Sequence, residues 1–488
     1  MPPFRLLLAA VALGAGGSFH FGYQLSSPNP TVNVFRRFLN ESYSVHYGQP
    51  LSEHVYRSLW SFVLTLQSLG CVFGSLMLVP TAETLGRKKG FFMVSLINVV
   101  GLALQISALR LMSFEALAVG RFLVGVATGL VLGLQTMYLS EVSPKENRGA
   151  ISGSTAIFLE MGFGLGAAIA LPDVLGSDTM WPYVYVFELA VAVIMWLSLP
   201  FLPESPKYLA AKGKTREAIN ALHFYRHVNP NQSLREIEEE INSQAKMAKL
   251  SEIIKKPHLR RGMLLGFAVF TTCNFSGILA LDYFSTFLLI EVGLSPRAAE
   301  YATVAIVGQT VLAATISSSI VDRVGRRPLL LWSIVSMTLC NTLFMIFSLL
   351  YTKYELAWLG YGCILVCIFF TLTFGIGPSV LQWVINAEMT PQNARSPAQS
   401  FTFTVNRISS ILTSFAFFPL QGAVGAYSLL MFILPLPVMF AIFYFFLPET
   451  KNRTTVEIMQ SLGYELKSEN VNGQDRSVSA NGNSSVAI

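Results

Sequence analysis

The sequence predicts an all-α membrane protein, with twelve transmembrane helices forming two six-helix bundles related by pseudo-two-fold symmetry. Three observations carry this. Only 13% of the 488 residues are charged, about half the share in a soluble domain, while 52% are apolar. Apolar stretches of about 20 residues, the length that crosses a bilayer, occur six times before a polar interval and six times after it. Loop motifs also repeat in one order. GRKKG (Gly86–Gly90) returns as GRRP (Gly325–Pro328), EVSPKENRG (Glu141–Gly149) as EMTPQNAR (Glu388–Arg395), and PESPK (Pro203–Lys207) as PETK (Pro448–Lys451), at offsets of 239, 247 and 245 residues. Matching markers at nearly one spacing indicate a duplicated chain.

The spans are expected at Leu6–Leu25, Leu59–Val79, Phe91–Leu111, Leu117–Leu139, Ile151–Leu171 and Val184–Leu202. The second set is Met263–Glu291, Tyr301–Val321, Leu329–Leu350, Ala357–Ile385, Ala398–Leu420 and Tyr427–Leu447. An even number of spans puts both termini on one side. The first span has Arg5 ahead of it, as a signal peptide would. It lacks a clean small-residue cleavage site and runs on through HFGYQ (His20–Gln24), so it is read as retained. The expected units are an N-terminal bundle over 1–202, a loop with amphipathic helices over 203–262, a C-terminal bundle over 263–450, and a largely disordered tail over 451–488, rich in Ser, Asn and Gly.

Lysine and arginine fix the orientation. The central interval, Arg87–Lys89, Lys145, Arg148, Arg323, Arg326, Arg327 and Arg395 fall on one side, and few basic residues fall on the other. That basic side, with both termini, is expected to be cytoplasmic, and the membrane to be the plasma membrane. The net charge of +6 comes from this bias and gives no reason to expect nucleic acid. Cys71, Cys273, Cys340, Cys363 and Cys367 all fall inside spans and read as small buried apolar residues. Asn40-Glu41-Ser42 is a glycosylation sequon in the longest outside loop. The sequence contains no nucleotide-binding loop, metal-ligand cluster or nucleophile–base pair, so neither an enzyme nor a cofactor is expected.

The repeated loops bring cations Arg87, Arg148, Arg326, Arg327 and Arg395 near anions Glu141, Glu204, Glu388 and Glu449. Charge-assisted pairs present in only one conformation would bias a rocking protein toward it, which makes this set a candidate cytoplasmic gate. Arg121, inside the fourth span, is costly there and is assigned to the same conformational control.

At these residues the chain resembles the sugar porter family of the major facilitator superfamily, most of all the animal facilitative hexose transporters and their fructose-preferring branch. The resemblance rests on FGYQ (Phe21–Gln24), GRKKG, GRFLVGVATG (Gly120–Gly129), YLSEVSPKENRGA (Tyr138–Ala150), PESPKYL (Pro203–Leu209), VDRVGRRPL (Val321–Leu329), Ala387-Glu388 and PET. It implies alternating access to a site between the halves, a hexose or similar solute, and function as a monomer in the lipid bilayer.

The sugar-contacting positions depart from the family pattern. Where the resemblance leads one to expect a seventh-span pair of glutamines followed by an asparagine, this chain has Cys273, Asn274 and Leu279. The fifth-span glutamine is Ala156 and the eighth-span asparagine is Thr310. The tenth span keeps Trp383 but loses two prolines, Val380 and Gln382 standing in their places. Asn406 is retained, and Arg407 stands where an aromatic would follow. Three intramembrane charges appear instead: Glu160 one turn after Ala156, Asp282 and Arg407. Asp282 shares a helical face with Asn274 if the span is unbroken near Gly277. The charges serve either solute selection or a buried pair of Arg407 with Glu160 or Asp282. Gln24 occupies the first-span position where the family's proton-driven members carry an aspartate, which favours a facilitator. Gln24, Ala156, Glu160, Cys273, Asn274, Leu279, Asp282, Thr310, Gln382, Trp383, Asn406 and Arg407 are thus the expected solute site. A carrier of a charged or amphoteric solute, a proton symporter using Glu160, Asp282 and Arg407, and a non-transporting sugar sensor remain open.

Overall fold

The computed structural model describes residues 4–144, 148–225, 229–244, 250–451, 453 and 455–463. Twelve helical spans form two bundles. The first six are Phe4–Ser26, Glu53–Leu76, Arg87–Leu111, Phe114–Val142, Arg148–Ile169 and Trp181–Ser198. The next are Pro257–Glu291, Pro296–Val324, Arg326–Tyr354, Trp358–Glu388, Gln392–Val424 and a last span of short helices ending in Pro435–Phe446.

Among the described residues, nine helical segments meet the length and hydropathy needed to cross a membrane, one of them long enough to hold two spans. The fifth span enters only as a shorter apolar helix, Ser154–Ile169. The eighth is interrupted by Gln309, Thr310, Thr315 and Ser317–Ser319.

Three spans are broken where glycine allows it. The first changes course at Gly17 and the tenth at Gly377-Pro378. The seventh ends one helix at Asn274 and starts another at Ile278, through Gly277 at φ +100°. A side chain at Gly277 would be strained at that angle and would meet Asn341. Asn341 Nδ2 holds the break by donating to the Ser276 carbonyl at 2.7 Å. The expectation of one continuous face from Asn274 to Asp282 is therefore corrected: the break reorients Asp282.

Within the first bundle, the second and fourth spans meet through glycine on both sides. A Cβ on Gly125 would lie 2.2 Å from the Gln67 carbonyl, and one on Gly74 2.1 Å from that of Val126. The small residues of GRFLVGVATG let the two backbones touch, so dispersion between helices replaces the missing hydrophobic drive.

The segment carrying Asn40, expected as a loop, is helical over Val32–Tyr47. It buries Val34, Phe35, Phe38 and Leu39 against Trp60 and Trp181. Asn40 is exposed, but the sequon hydroxyl of Ser42 is buried, donating to the Met112 carbonyl at 2.7 Å and accepting the Phe114 N–H at 2.9 Å. Between the sixth and seventh spans lie helices Pro206–Ala211, Thr215–Phe224, Pro230–Gln244 and Leu250–Lys255. Leu209, Ala218, Ala221, Leu222 and Leu234 share a small core. Tyr138 ties this layer to the membrane bundle by donating to the Pro203 carbonyl and meeting the Tyr225 hydroxyl at 2.8 Å.

Candidate functional site

The two bundles meet at mid-depth and on the face carrying Asn40. At the Asn40 face Asn29 Nδ2 donates to the Leu281 and Asp282 carbonyls and to Ser285 Oγ, while its Oδ1 accepts the Thr286 N–H. Arg57 of the second span lies 3.7 Å from Glu291 of the seventh and donates to Gln421 of the eleventh. Its guanidinium also stacks on Phe287 and Phe418. Arg297 and Tyr301 of the eighth span both reach Asp173, in the loop after the fifth.

On the opposite, basic face, the described arginine–glutamate pairs of the repeated motifs lie within each half. Arg87 grips Glu141 through two bonds of 2.6 and 2.9 Å, and Arg326 reaches Glu388 at 3.3 Å.

Glu204 and Glu449, expected as arginine partners, work mainly through the backbone. Glu204 accepts the N–H groups of Arg87 and Lys88, and Glu449 those of Arg326 and Arg327. Each caps the exposed amides at the start of a span, the third and the ninth, where negative charge is favoured. Burial works against ionisation of Glu449, but four backbone N–H donors, that of Lys451 first, hold its carboxyl below the ordinary range. Arg327 donates to the Tyr444 carbonyl at 2.5 Å. The side chains of Arg148 and Arg395 lie outside the described residues.

Arg121 is corrected: it takes no part in the basic-face charges. It is 1% exposed, inside the first bundle. Its Nε donates to the Val63 carbonyl, Nη2 to Gln67 Oε1 and the Gln24 carbonyl, and Nη1 to Gln24 Oε1. Gln24 is corrected with it, because it is fully buried and cannot reach a solute. It donates to Glu188 Oε2 at 2.7 Å and to Gln105 Oε1 at 3.1 Å, and His20 Nδ1 lies 3.0 Å from Glu188 Oε1. Sequence reasoning missed Glu188 and His20. The signal was present, since Glu188 is a carboxylate in an apolar stretch.

Between the bundles, Thr310 of the eighth span donates to Glu160 of the fifth at 3.0 Å, joining the halves. Ala156, one turn earlier, is exposed. Asp282, whose backbone carbonyl accepts from Asn29, has no described ion-pair partner. Asn274, left at a helix end by the break, donates to Asn406 Oδ1 at 2.6 Å and to its carbonyl at 2.9 Å.

An aromatic run lies beside this pair. Trp383 meets Phe270 edge-on at 5.1 Å and Phe403 at 5.8 Å. The Arg407 guanidinium lies 4.7 Å from Phe403 and 5.0 Å from Phe21 of the other half. Gln382, half-buried, donates to the Ser379 carbonyl. Cys273 is buried against the Pro378 carbonyl, and Leu279 packs on the apolar cores; neither presents a polar group to a solute. Neither Glu160 nor Asp282 pairs with Arg407.

A duplicated helical bundle, latched on one face with polar groups gathered where the halves meet, is the architecture of a membrane transporter. Residues 9–462 match the family described as "Sugar (and other) transporter", and the chain belongs to that family, in the major facilitator superfamily. It is similar to human solute carrier family 2, facilitated glucose transporter member 11, at 34% identity over 94% of this chain and 92% of the relative. It is also similar to human member 9 of that series, at 31% over 95% and 86%. Its fold is similar to that of the xylose transporter XylE from E. coli in a partially occluded inward-open conformation, at a TM-score of 0.74 and 19% identity over 92% of this chain and 99% of that one.

Proposed function

We propose that this chain carries a small polar solute across its membrane by facilitated diffusion, with glucose or fructose first among candidates. The halves rock about the site between them. One observation carries this reading: the described ties between the halves lie at mid-depth and on the Asn40 face, while the described basic-face pairs Arg87–Glu141 and Arg326–Glu388 lie within each half. A protein latched on one side only has a counterpart conformation latched on the other. The basic face is cytoplasmic, the membrane is the plasma membrane, and one chain suffices for function. Asn274, Asn406, Thr310, Gln382 and Trp383 contact the solute, and Glu160, Asp282 and Arg407 set its charge preference.

Purified protein in liposomes is expected to show saturable uptake of labelled glucose or fructose, unchanged by an imposed proton gradient. Absence of saturable flux for every hexose removes the reading. Concentrative uptake driven by the gradient replaces it with symport, the second reading. Glu188 favours that alternative, being a sealed carboxylate beside His20 and Gln24, where a proton could be carried.

The outer latch has its own test. Arg57→Ala removes the Glu291 and Gln421 contacts and two cation–π contacts. Charge-assisted bonds of this kind are worth about 1.5–3 kcal/mol, so the outward-open population is expected to rise about tenfold or more. The measurement is the rate at which an impermeant maleimide, added from the Asn40 side, labels a cysteine placed at Leu281. An unchanged rate sinks the latch.

A further inference from the structure

Among the described residues, Arg407 is a charge at the meeting of the halves whose surroundings fit a ligand better than a partner in the chain. Its guanidinium lies over two aromatic rings, Phe403 of its own helix at 4.7 Å and Phe21 of the opposite half at 5.0 Å. Among the described residues no carboxylate forms an ion pair with it. Its Nε is sealed from solvent with no hydrogen-bond partner, and no described residue accepts from its Nη atoms. The residue as a whole is only half-buried, so solvent reaches some of it beyond Nε.

An arginine set against aromatic rings and lacking a carboxylate partner suits the bidentate binding of a planar oxyanion. The rings restrict the guanidinium and lower the entropy lost when a carboxylate docks. Glu160 and Asp282 stand on other helices where the halves meet and, as acceptors, suit hydroxyl donors.

We propose that the solute of this site is a sugar acid, with its carboxylate on the Arg407 guanidinium and its hydroxyls toward Glu160, Asp282 and the Asn274–Asn406 pair. This deepens the transport reading and rests on it for the location of the site. Phe21 belongs to one half and Arg407 to the other, so the anion would be held at a contact remade during each cycle.

The test uses the full chain in liposomes, with labelled glucose uptake inhibited by glucuronate, glucose or glucosamine. These differ by a carboxylate or an amine on one ring. Glucuronate is expected to inhibit at about tenfold lower concentration than glucose. Arg407→Gln is expected to shrink that glucuronate-to-glucose ratio tenfold, and Arg407→Lys, which keeps the charge without the fork, to fall between. Equal potency of glucuronate and glucose, strongest inhibition by glucosamine, or an unchanged ratio in Arg407→Gln overturns the proposal. If no glucose uptake exists, the hexose reading fails on its own. Thermal stabilisation by glucuronate, lost in Arg407→Gln, then supports the sugar acid, and no stabilisation overturns it.

Discussion

Arg121→Leu is expected to destabilise the first bundle by about 3–5 kcal/mol, the cost of removing one partner from a buried ionic network. Four acceptor contacts lose their donor at once: the Val63 carbonyl, Gln67 Oε1, and the carbonyl and Oε1 of Gln24. Glu188, fully buried, loses the cation that acts on it. Arg121→Lys keeps the charge and loses the fork, so a smaller loss is expected.

The double variant Arg121→Leu/Glu188→Leu discriminates between packing and charge. If the deficit is mainly an uncompensated carboxylate, removing both charges recovers part of it, because apolar replacement of a whole buried ionic set is often close to neutral. Thermal unfolding in detergent, followed by intrinsic fluorescence, measures this. Unchanged unfolding in the single leucine variant would show that the network carries no stability.

Gly125→Ala is expected to destabilise although alanine is the better helix former. The propensity gain is about 1 kcal/mol. Against it, the new methyl would sit 2.2 Å from the Gln67 carbonyl, a backbone atom that moves only if the second and fourth spans part. Overpacking of this kind costs about 1–3 kcal/mol, and separation also draws Gln67 away from Arg121, so loss outweighs gain. Gly164→Ala is the control. Nothing lies within 4 Å of the Cβ it would add, so it is expected to be neutral or slightly stabilising. If both substitutions behave alike in the same unfolding assay, close approach of the two spans is not what Gly125 provides.

The fold was legible because its signals are local. Hydropathy over a window placed the spans, and the repeated loop motifs gave the duplication without any knowledge of contacts. The same motifs gave the basic-face charges as one set of cations and anions, within which the structure pairs Arg87 with Glu141 and Arg326 with Glu388. They misled on Glu204 and Glu449, because a carboxylate beside an arginine in sequence can equally take the amides at that helix start, and only the approach direction of its loop decides.

The site was less legible. Asn274 and Asn406 were expected together and are together, two helices having brought one amide to the other. Gln24 and Arg121 were assigned to a solute site and a gate. They instead seal each other inside one bundle, because Gln67, Gln105 and Glu188, on three further helices, face them. The helix at Val32–Tyr47 hid behind its mixed composition: its apolar residues follow helical spacing, but its polar ones suggested a loop.

What the sequence determined by itself was the solvent the chain lives in, the number of its spans and the existence of two related halves. Those depend on composition within windows of about 20 residues. The tertiary structure alone decided which polar groups neutralise one another and which are left over. A span places side chains around its whole circumference, and the partner each one meets depends on how neighbouring helices are rotated and broken. Hence Glu160 found Thr310, Glu188 found His20 and Gln24, and Arg407 was left with two aromatic rings and no described acid partner.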